Sequence, residues 1–108
     1  MDHKELELTI LRKADSMESQ KTLADELGYS VGKINYVLNA LIDKGFIKAE
    51  NFATAENKKK YKYLLTAKGV KEKIQLTEKF IARKKREYNQ LQRELELLSV
   101  NSKADERY

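Results

Sequence analysis

Hydrophobic residues recur at helical spacing in the second half of the segment from Ser19 to Glu50. When residues are placed at intervals of about 100°, the large aliphatic side chains share one side of the predicted helix. They are Ile34, Val37, Leu38, Leu41 and Ile42. The opposite side carries amides, a phenol and a cation. This pattern predicts a helix with one buried stripe and one exposed polar face.

A shorter helix precedes this one, because Leu23, Ala24 and Leu27 recur at one-turn spacing. Ser19 can cap its start, and Gly28 ends it, since the residue after a helix C-terminus commonly has a positive φ that glycine adopts without strain. Ser30 follows two residues later and is a good N-cap for the second helix. The intervening turn is then three or four residues long, as in a helix-turn-helix. Gly45 closes the second helix in the same way as Gly28 closes the first.

A β-hairpin is predicted after these helices. Strand-like composition runs from Phe46 to Glu50 and returns from Tyr61 to Leu65, with an irregular polar loop between them. A lone hairpin is marginal in water, so its apolar side must pack on the helices. The candidates for that contact are Phe46, Ile47, Tyr63 and Leu65. The fold class is therefore mainly α with a small β-hairpin, a winged helix-turn-helix.

The last predicted helix is too long for a small domain to cover. It begins after Thr66, a good N-cap, and its positions from Val70 onwards alternate by four and three, as in a heptad seam. The seam is interrupted by Thr77 and Lys84 and is apolar throughout from Tyr88 onwards. We expect this seam to form a coiled coil between two chains. The expected dimerisation residues are Ile81, Tyr88, Leu91, Leu95 and Leu98. In the alternative the helix folds back onto its own domain, but no glycine or proline interrupts residues 70–98.

The chain then divides into three predicted segments. Residues 1–65 form the winged domain, which opens with a helix that is capped by Asp2 and ends near Ala14. Residues 66–98 form the dimerisation helix. Residues 99–108 form a polar tail that we expect to be disordered. With 108 residues, 41% of them hydrophobic, the chain has enough apolar side chains for one modest core.

Charge is distributed unevenly along the chain. Residues 1–57 carry 7 Lys or Arg against 10 Asp or Glu, residues 58–86 carry 12 against 2, and residues 87–108 carry 3 against 5. The basic band begins in the hairpin and continues along the last helix, which favours a surface that faces phosphates. In the alternative these lysines only solvate a long helix. At the hairpin tip, Lys58, Lys59 and Lys60 could contact phosphate or the minor groove, or could protect the strand edges from aggregation.

Enzyme and metal chemistry have little support. The chain has no cysteine and one histidine, His3, which argues against a zinc site, and the carboxylates are interpreted as solvated partners of lysines. There is no nucleophile or phosphate-loop motif, so we expect neither catalytic residues nor a cofactor. The sequence shows no signal-peptide core and no apolar run that could span a membrane, which predicts a cytoplasmic protein without membrane contact.

Two stretches of the sequence resemble a known family. INYVLNALIDKGFIKAENF and YLLTAKGVKEK are similar to the winged helix-turn-helix of MarR-type transcriptional regulators. Residues 5–98 resemble most closely the small MarR-type regulators associated with exopolysaccharide (EPS) biosynthesis clusters. The resemblance implies a bacterial homodimer that binds double-stranded operator DNA, with the second helix in the major groove. Ordinary MarR proteins are longer and use helices at both ends to dimerise and to frame a ligand pocket. Here only the C-terminal helix is available, which argues against a small-molecule effector.

By motif position the resemblance implies that residues 31–33, 35 and 36 face the groove, and the polar face, the helix starts and the hairpin tip complete the set of predicted DNA-binding residues. They are Ser19, Gln20, Ser30, Val31, Gly32, Lys33, Asn35, Tyr36, Asn39, Lys58, Lys59 and Lys60. Asparagine can pair with adenine and lysine can reach guanine. Gly32 suggests a close approach to a DNA strand, because glycine in a helix otherwise costs up to about 1 kcal/mol. The rival hypothesis is an adaptor whose winged domain and coiled coil bind proteins.

Overall fold

The computed structural model describes residues 2–52 and 60–106, with side chains for residues 2–51 and 61–101. The described chain is mainly helical with one antiparallel hairpin, which confirms the predicted fold class. Its elements are α1 (His3–Lys13), a 3₁₀ turn (Ala14–Ser16), α2 (Gln20–Leu27), α3 (Val31–Asp43), β1 (Ile47–Phe52), β2 (Lys60–Leu65) and α4 (Ala67–Glu106). Contacts divide the chain into two compact units, with the division after Thr77.

Three helices begin at the residues that the sequence predicted. Asp2, Ser19 and Ser30 each accept a hydrogen bond from the backbone N–H three residues later, at 2.8, 3.0 and 3.1 Å. Each bond satisfies a donor that the first helical turn leaves without an intrahelical partner.

The ends of α2 and α3 share one geometry. Gly28 and Gly45 have φ values of 75° and 80°, in the left-handed region. The N–H of the next residue then bonds back to a carbonyl inside the helix: Tyr29 to Ala24 at 3.0 Å and Phe46 to Leu41 at 2.9 Å. These bonds close both helices in the manner of a Schellman motif, which fixes the short turn and the start of the hairpin.

The core of the first unit lies among α1, α2 and α3. The predicted stripe of α3 is confirmed at four positions that are at most 1% exposed, whereas Ile42, at the edge of the stripe, is only half-buried. The other large or closely packed members are Leu6, Leu8, Ile10, Leu11, Ala14, Leu23, Ala24, Ile47 and Leu76.

Opposite residues of the hairpin place Ile47 against Leu65 and Ala49 against Tyr63 on one face. Ile47 is buried, and Tyr63 and Leu65 are half-buried, as expected for the face that packs on the helices. Along β2, the side chain of Asp15 in the 3₁₀ turn accepts a hydrogen bond from the N–H of Leu65 at 3.2 Å. This bond holds the hairpin to the segment before α2.

The first turn of α4 packs against the start of the hairpin at Gly69. A Cβ atom on Gly69 would lie 2.0 Å from the carbonyl oxygen of Phe46, so only glycine fits. Thr66 caps the helix as predicted, because its hydroxyl accepts a hydrogen bond from the Gly69 N–H at 2.9 Å. The same hydroxyl lies 2.6 Å from the Gly45 carbonyl and donates to it.

The first unit extends beyond Leu65, where the predicted winged domain ended, because Leu76 in α4 is 2% exposed. In the second unit, α4 continues past Leu98, where we expected it to end, to Glu106. Residues 99–106 contain no glycine or proline to stop the helix. Within residues 2–52 and 60–106, no helix combines the length and the apolar character that crossing a membrane requires.

Glu7 departs from the expectation that the carboxylates are solvated. Its side chain is only 3% exposed, between the core residues of α1. His3 Nε2 lies 3.1 Å from it, and the ammonium groups of Lys4 and Lys44 lie at 3.3 and 3.6 Å. The contact with Lys44, at the end of α3, makes this carboxylate a tie between α1 and α3.

Candidate nucleic-acid interface

The face of α3 that points away from the core is exposed over its whole length. Tyr36 is 67% exposed and Val31 45%, and Gly32, Asn35 and Asn39 are also exposed. The structure therefore brings the predicted α3 residues together on one accessible surface. Because the buried stripe fixes the rotation of α3, this polar surface is held rigidly outward.

Four polar side chains from three elements form a hydrogen-bonded chain on this surface. Gln20 Nε2 donates to the Tyr63 hydroxyl at 3.3 Å. Asn35 Nδ2 donates to Gln20 Oε1 at 3.0 Å, and Asn39 Nδ2 donates to Asn35 Oδ1 at 3.0 Å. We call these four residues the amide chain. It connects β2 of the hairpin, the first residue of α2 and the exposed face of α3.

Tyr63 is the member of the amide chain that sequence reasoning missed as a polar residue. The alternating pattern of β2 placed it on the apolar face of the hairpin, and its ring is half-buried there, stacked on Tyr61 with centroids 6.5 Å apart. The signal that could have found it is its residue type, since a packed tyrosine usually directs its hydroxyl to a polar partner.

Lys33 and Tyr36 contact each other at the start of α3. The Lys33 ammonium lies 5.8 Å from the centroid of the Tyr36 ring, within the range of a cation–π contact. Lys33 has no ion pair among the described residues, so its charge stays available to an anion. Together the two side chains present a cation and a phenol beside Val31 and Gly32.

Gly32 has no internal packing role. A Cβ atom there would meet nothing closer than Ser30 Oγ, at 4.0 Å. The lack of a side chain leaves the backbone of the first turn of α3 bare on the exposed face. The structure thus supplies no intramolecular reason for a glycine at this position.

Ser19 and Ser30 lie at the N-termini of α2 and α3, where free N–H groups and the helix dipole favour an anion. Both hydroxyls accept capping bonds, as described above, and the Ser19 hydroxyl also shares a hydrogen bond with the Thr22 hydroxyl at 2.8 Å. Gln20 directly follows Ser19 and accepts a hydrogen bond from Asn35, so the start of α2 lies next to the exposed face of α3.

The lysines predicted at the hairpin tip fall largely beyond the described part of the chain. Lys58 and Lys59 lie outside the described residues. Lys60 is the first residue of β2, opposite Phe52 in the register, and its side chain is not described. On the described part of β2, Lys62 and Tyr61 are exposed.

Across residues 2–52 and 60–106, no group of three His, Cys, Asp or Glu side chains comes together in a way that could hold a metal ion. The exposed face of α3 instead offers amide and hydroxyl groups and one cation, which suit hydrogen bonds to base edges and phosphates.

The five predicted dimerisation residues lie on α4 in the second unit and are all exposed in the single chain. Ile81 is 51% exposed, and the other four are between 61% and 65% exposed. Leu97 and Val100, also on this helix, are each 65% exposed. An apolar seam of this size in one helix is typical of a surface that a partner covers.

Comparison with known proteins relates the chain to a winged helix-turn-helix family model and to solved structures. A family model described as "Winged helix-turn-helix DNA-binding" matches residues 8–48, which contain most of α1, all of α2 and α3, and the start of β1. The fold is a winged helix-turn-helix. A crystal structure of a PadR-like transcriptional regulator from Bacillus cereus superposes with a TM-score of 0.67 and 21% sequence identity, and the alignment covers 81% of this chain and 91% of that one. No curated protein matches the sequence.

These matches agree with the predicted fold but not with the finer relationship. Neither confirms the resemblance to MarR-type regulators or the association with exopolysaccharide biosynthesis. Short winged domains share most of their pattern, namely the α2 stripe, the glycine ends and the α3 stripe. That pattern comes from packing and does not distinguish one winged family from another.

Proposed function

We propose that the protein is a DNA-binding transcriptional regulator that acts as a homodimer on double-stranded DNA. The observation that carries this proposal is the exposed α3 face, where Asn35, Tyr36 and Asn39 lie opposite the stripe that packs in the core. The match of residues 8–48 to winged DNA-binding domains supports the same function. A regulator of this kind needs no catalytic residues, no metal and no cofactor.

The N-terminal half of α3 is the part that enters the major groove in this proposal. Recognition helices usually insert their first turns, and here these turns carry Lys33, Asn35 and Tyr36. Asp43 lies at the other end of the helix and is exposed, so its charge would repel phosphates there. The C-terminal end of α3 should therefore tilt out of the groove, with the hairpin beside it as a wing.

The homodimer is proposed from the exposed seam of α4. Pairing two copies would cover Tyr88, Leu91 and Leu95, which single chains leave about three-fifths exposed. A dimer would also present two copies of α3 to a palindromic site, as dimeric helix-turn-helix proteins do. Control of polysaccharide biosynthesis genes in a bacterium is a part of the proposal that rests on the sequence resemblance alone, and a cytoplasmic location is proposed from the sequence pattern given above.

Binding to random-sequence duplex at several salt concentrations is the test of the proposed function. A DNA-binding protein shows a steep linear fall of log affinity with log salt, with a slope set by the number of phosphates neutralised. A slope near zero, or no binding at low salt, would reject the proposal and favour the protein-binding adaptor. A footprint on DNA upstream of the protein's own gene would then supply a candidate operator.

The first prediction concerns Asn35, whose carboxamide can pair with adenine. Asn35→Ala should weaken binding to the footprinted duplex by about 1–3 kcal/mol and leave affinity for a scrambled duplex nearly unchanged. Fluorescence anisotropy on both duplexes at one salt concentration measures the two losses. Equal losses would make Asn35 a backbone contact, and no loss on either duplex would place this face outside the interface.

A further inference from the structure

We infer that Gln20 and Tyr63 are positioning residues that hold the carboxamide of Asn35 in the orientation for reading a base. The inference rests on the proposed DNA-binding function and deepens it, because it assigns sequence selectivity in part to residues that touch no base. The observation is the amide chain, in which a hairpin hydroxyl, an α2 amide and two α3 amides bond in series.

The hydrogen-bonding capacity of Asn35 fits this role. A carboxamide has two N–H donors and two acceptor lone pairs. Asn35 uses one N–H donor in its bond to Gln20 and one acceptor lone pair in its bond from Asn39, so one donor and one acceptor remain on the same carboxamide. Bidentate pairing with adenine needs one donor for N7 and one acceptor for the N6 amino group. The amide chain therefore leaves one donor and one acceptor of Asn35 available, which is the pair that adenine recognition requires.

The order of the hydrogen bonds in the amide chain explains why the Tyr63 hydroxyl affects the orientation of Asn35. Asn35 is exposed, and an exposed asparagine without partners would rotate freely about its χ angles and would have to be ordered on binding. Gln20 prevents this from one side, and Gln20 is itself held by the hydroxyl of Tyr63, whose ring is half-buried in the hairpin. The rigid end of the amide chain is thus Tyr63 in the hairpin, and its base-reading end is Asn35 on α3.

Asn39 is not sufficient for the same purpose. Its bond to Asn35 lies within one helix, between side chains one turn apart, and both are exposed. Only the link through Gln20 ties the carboxamide to a second and a third element. Loss of the Tyr63 hydroxyl should therefore loosen Asn35 although the two residues do not touch.

The test uses selection of duplexes from a random library by the full-length protein, followed by sequencing. Asn35→Ala identifies the base pair that Asn35 reads, as the position whose preference is lost. Tyr63→Phe and Gln20→Met should relax the preference at that same position by about three- to tenfold, the factor that corresponds to one ordinary hydrogen bond. Preferences at the other positions should stay as in the wild type.

Tyr61→Phe is the matched control. It removes a hydroxyl from the neighbouring tyrosine on the same face of β2, which takes no part in the amide chain, and it should change no preference. Tyr63→Phe in the Asn35→Ala background should have no further effect on selectivity, because the group that it positions is gone. A purely structural role of the hydroxyl would act equally in both backgrounds. Thermal melting of each variant shows that the fold is kept.

The possible outcomes separate the inference from the proposed function. If the wild type enriches no sequence and binds no duplex, both are wrong. If the wild type is selective and Asn35→Ala loses one position while Tyr63→Phe and Gln20→Met keep it, only the inference is overturned. A loss of affinity that is uniform over all sequences would make Tyr63 a phosphate contact, and an unchanged preference in Asn35→Ala would remove the base contact itself. Either result also overturns the inference.

Discussion

Two helical glycines illustrate how one residue type serves two purposes in this chain. Both Gly32 and Gly69 lie in the first turn of a helix, and from the sequence they look alike. In the structure, Gly69 is buried where α4 touches the carbonyl of Phe46, whereas Gly32 faces open space. The first is required by packing, and the second is left to be explained by what binds the exposed face.

Exchange of each glycine for alanine separates these purposes. Gly69→Ala should lower the free energy of unfolding by about 1–3 kcal/mol or more, because the added methyl overlaps backbone that must move. Gly32→Ala, the matched control, should instead stabilise the protein by up to about 1 kcal/mol through better helix propensity. Denaturant unfolding of both variants measures the two changes. Equal effects would refute the packing argument.

Gly32→Ala also has a consequence for binding. If backbone approaches DNA closely at this turn, the added methyl should reduce duplex affinity although the fold becomes more stable. A variant that is both more stable and fully active in the anisotropy assay would remove Gly32 from the proposed interface.

Glu7 marks a limit of sequence reasoning at the scale of one residue. Leu6, Ile10 and Leu11 recur at helical spacing in α1 and are buried, but Glu7 among them is one of the carboxylates expected to be solvated. Its partners are His3 and Lys4 of its own helix and Lys44, which is far away in sequence and lies 3.6 Å from it. Periodicity reports which side of a helix is apolar, and it carries no information about a charged partner on another helix.

At the scale of elements, the local signals were the reliable ones. Caps at Asp2, Ser19 and Ser30 and the glycine ends of α2 and α3 depend on neighbours in sequence, and each lies where it was predicted. The hydrogen bonds that orient the hairpin do not depend on neighbours in sequence. Asp15 bonds to Leu65, and Gln20 bonds to Tyr63, both across more than forty residues. The elements could therefore be predicted, but not the polar contacts that position the candidate site.

The hairpin carries a prediction of its own, because it is the proposed wing. Replacing Lys58, Lys59 and Lys60 with alanine should weaken binding to specific and random duplex by similar factors and flatten the salt slope by about one for each lost phosphate contact. Salt titration by anisotropy measures the slope. Replacing Arg12, Arg93 and Lys103 with alanine removes the same charge from outside the proposed surface and serves as the control. An unchanged slope in the first variant would exclude the wing from the interface.

At the scale of the whole molecule, the fold and the assembly rest on different kinds of information. The winged fold follows from the contacts within the first unit, and a protein with 21% identity shares it. The second unit has no such contacts to explain its sequence: within it, Leu91, Leu95 and Leu98 are each more than 60% exposed. Helical period alone predicted these residues as a seam, and among the described residues they remain exposed.

Self-association through this seam is the prediction at this scale. Leu91→Asp combined with Leu95→Asp should yield monomers, because carboxylates that face each other in a paired seam cost several kcal/mol to bury. The control is Asn89→Asp with Gln90→Asp, which adds the same charge to the same turns but away from the seam. Sedimentation or light scattering at tens of micromolar gives the mass of each variant.

The control should stay dimeric, and its DNA affinity should exceed that of the monomeric variant, because only a dimer engages two half-sites at once. A monomeric wild type, or a Leu91→Asp, Leu95→Asp variant that remains dimeric, would show that the seam does not join two chains.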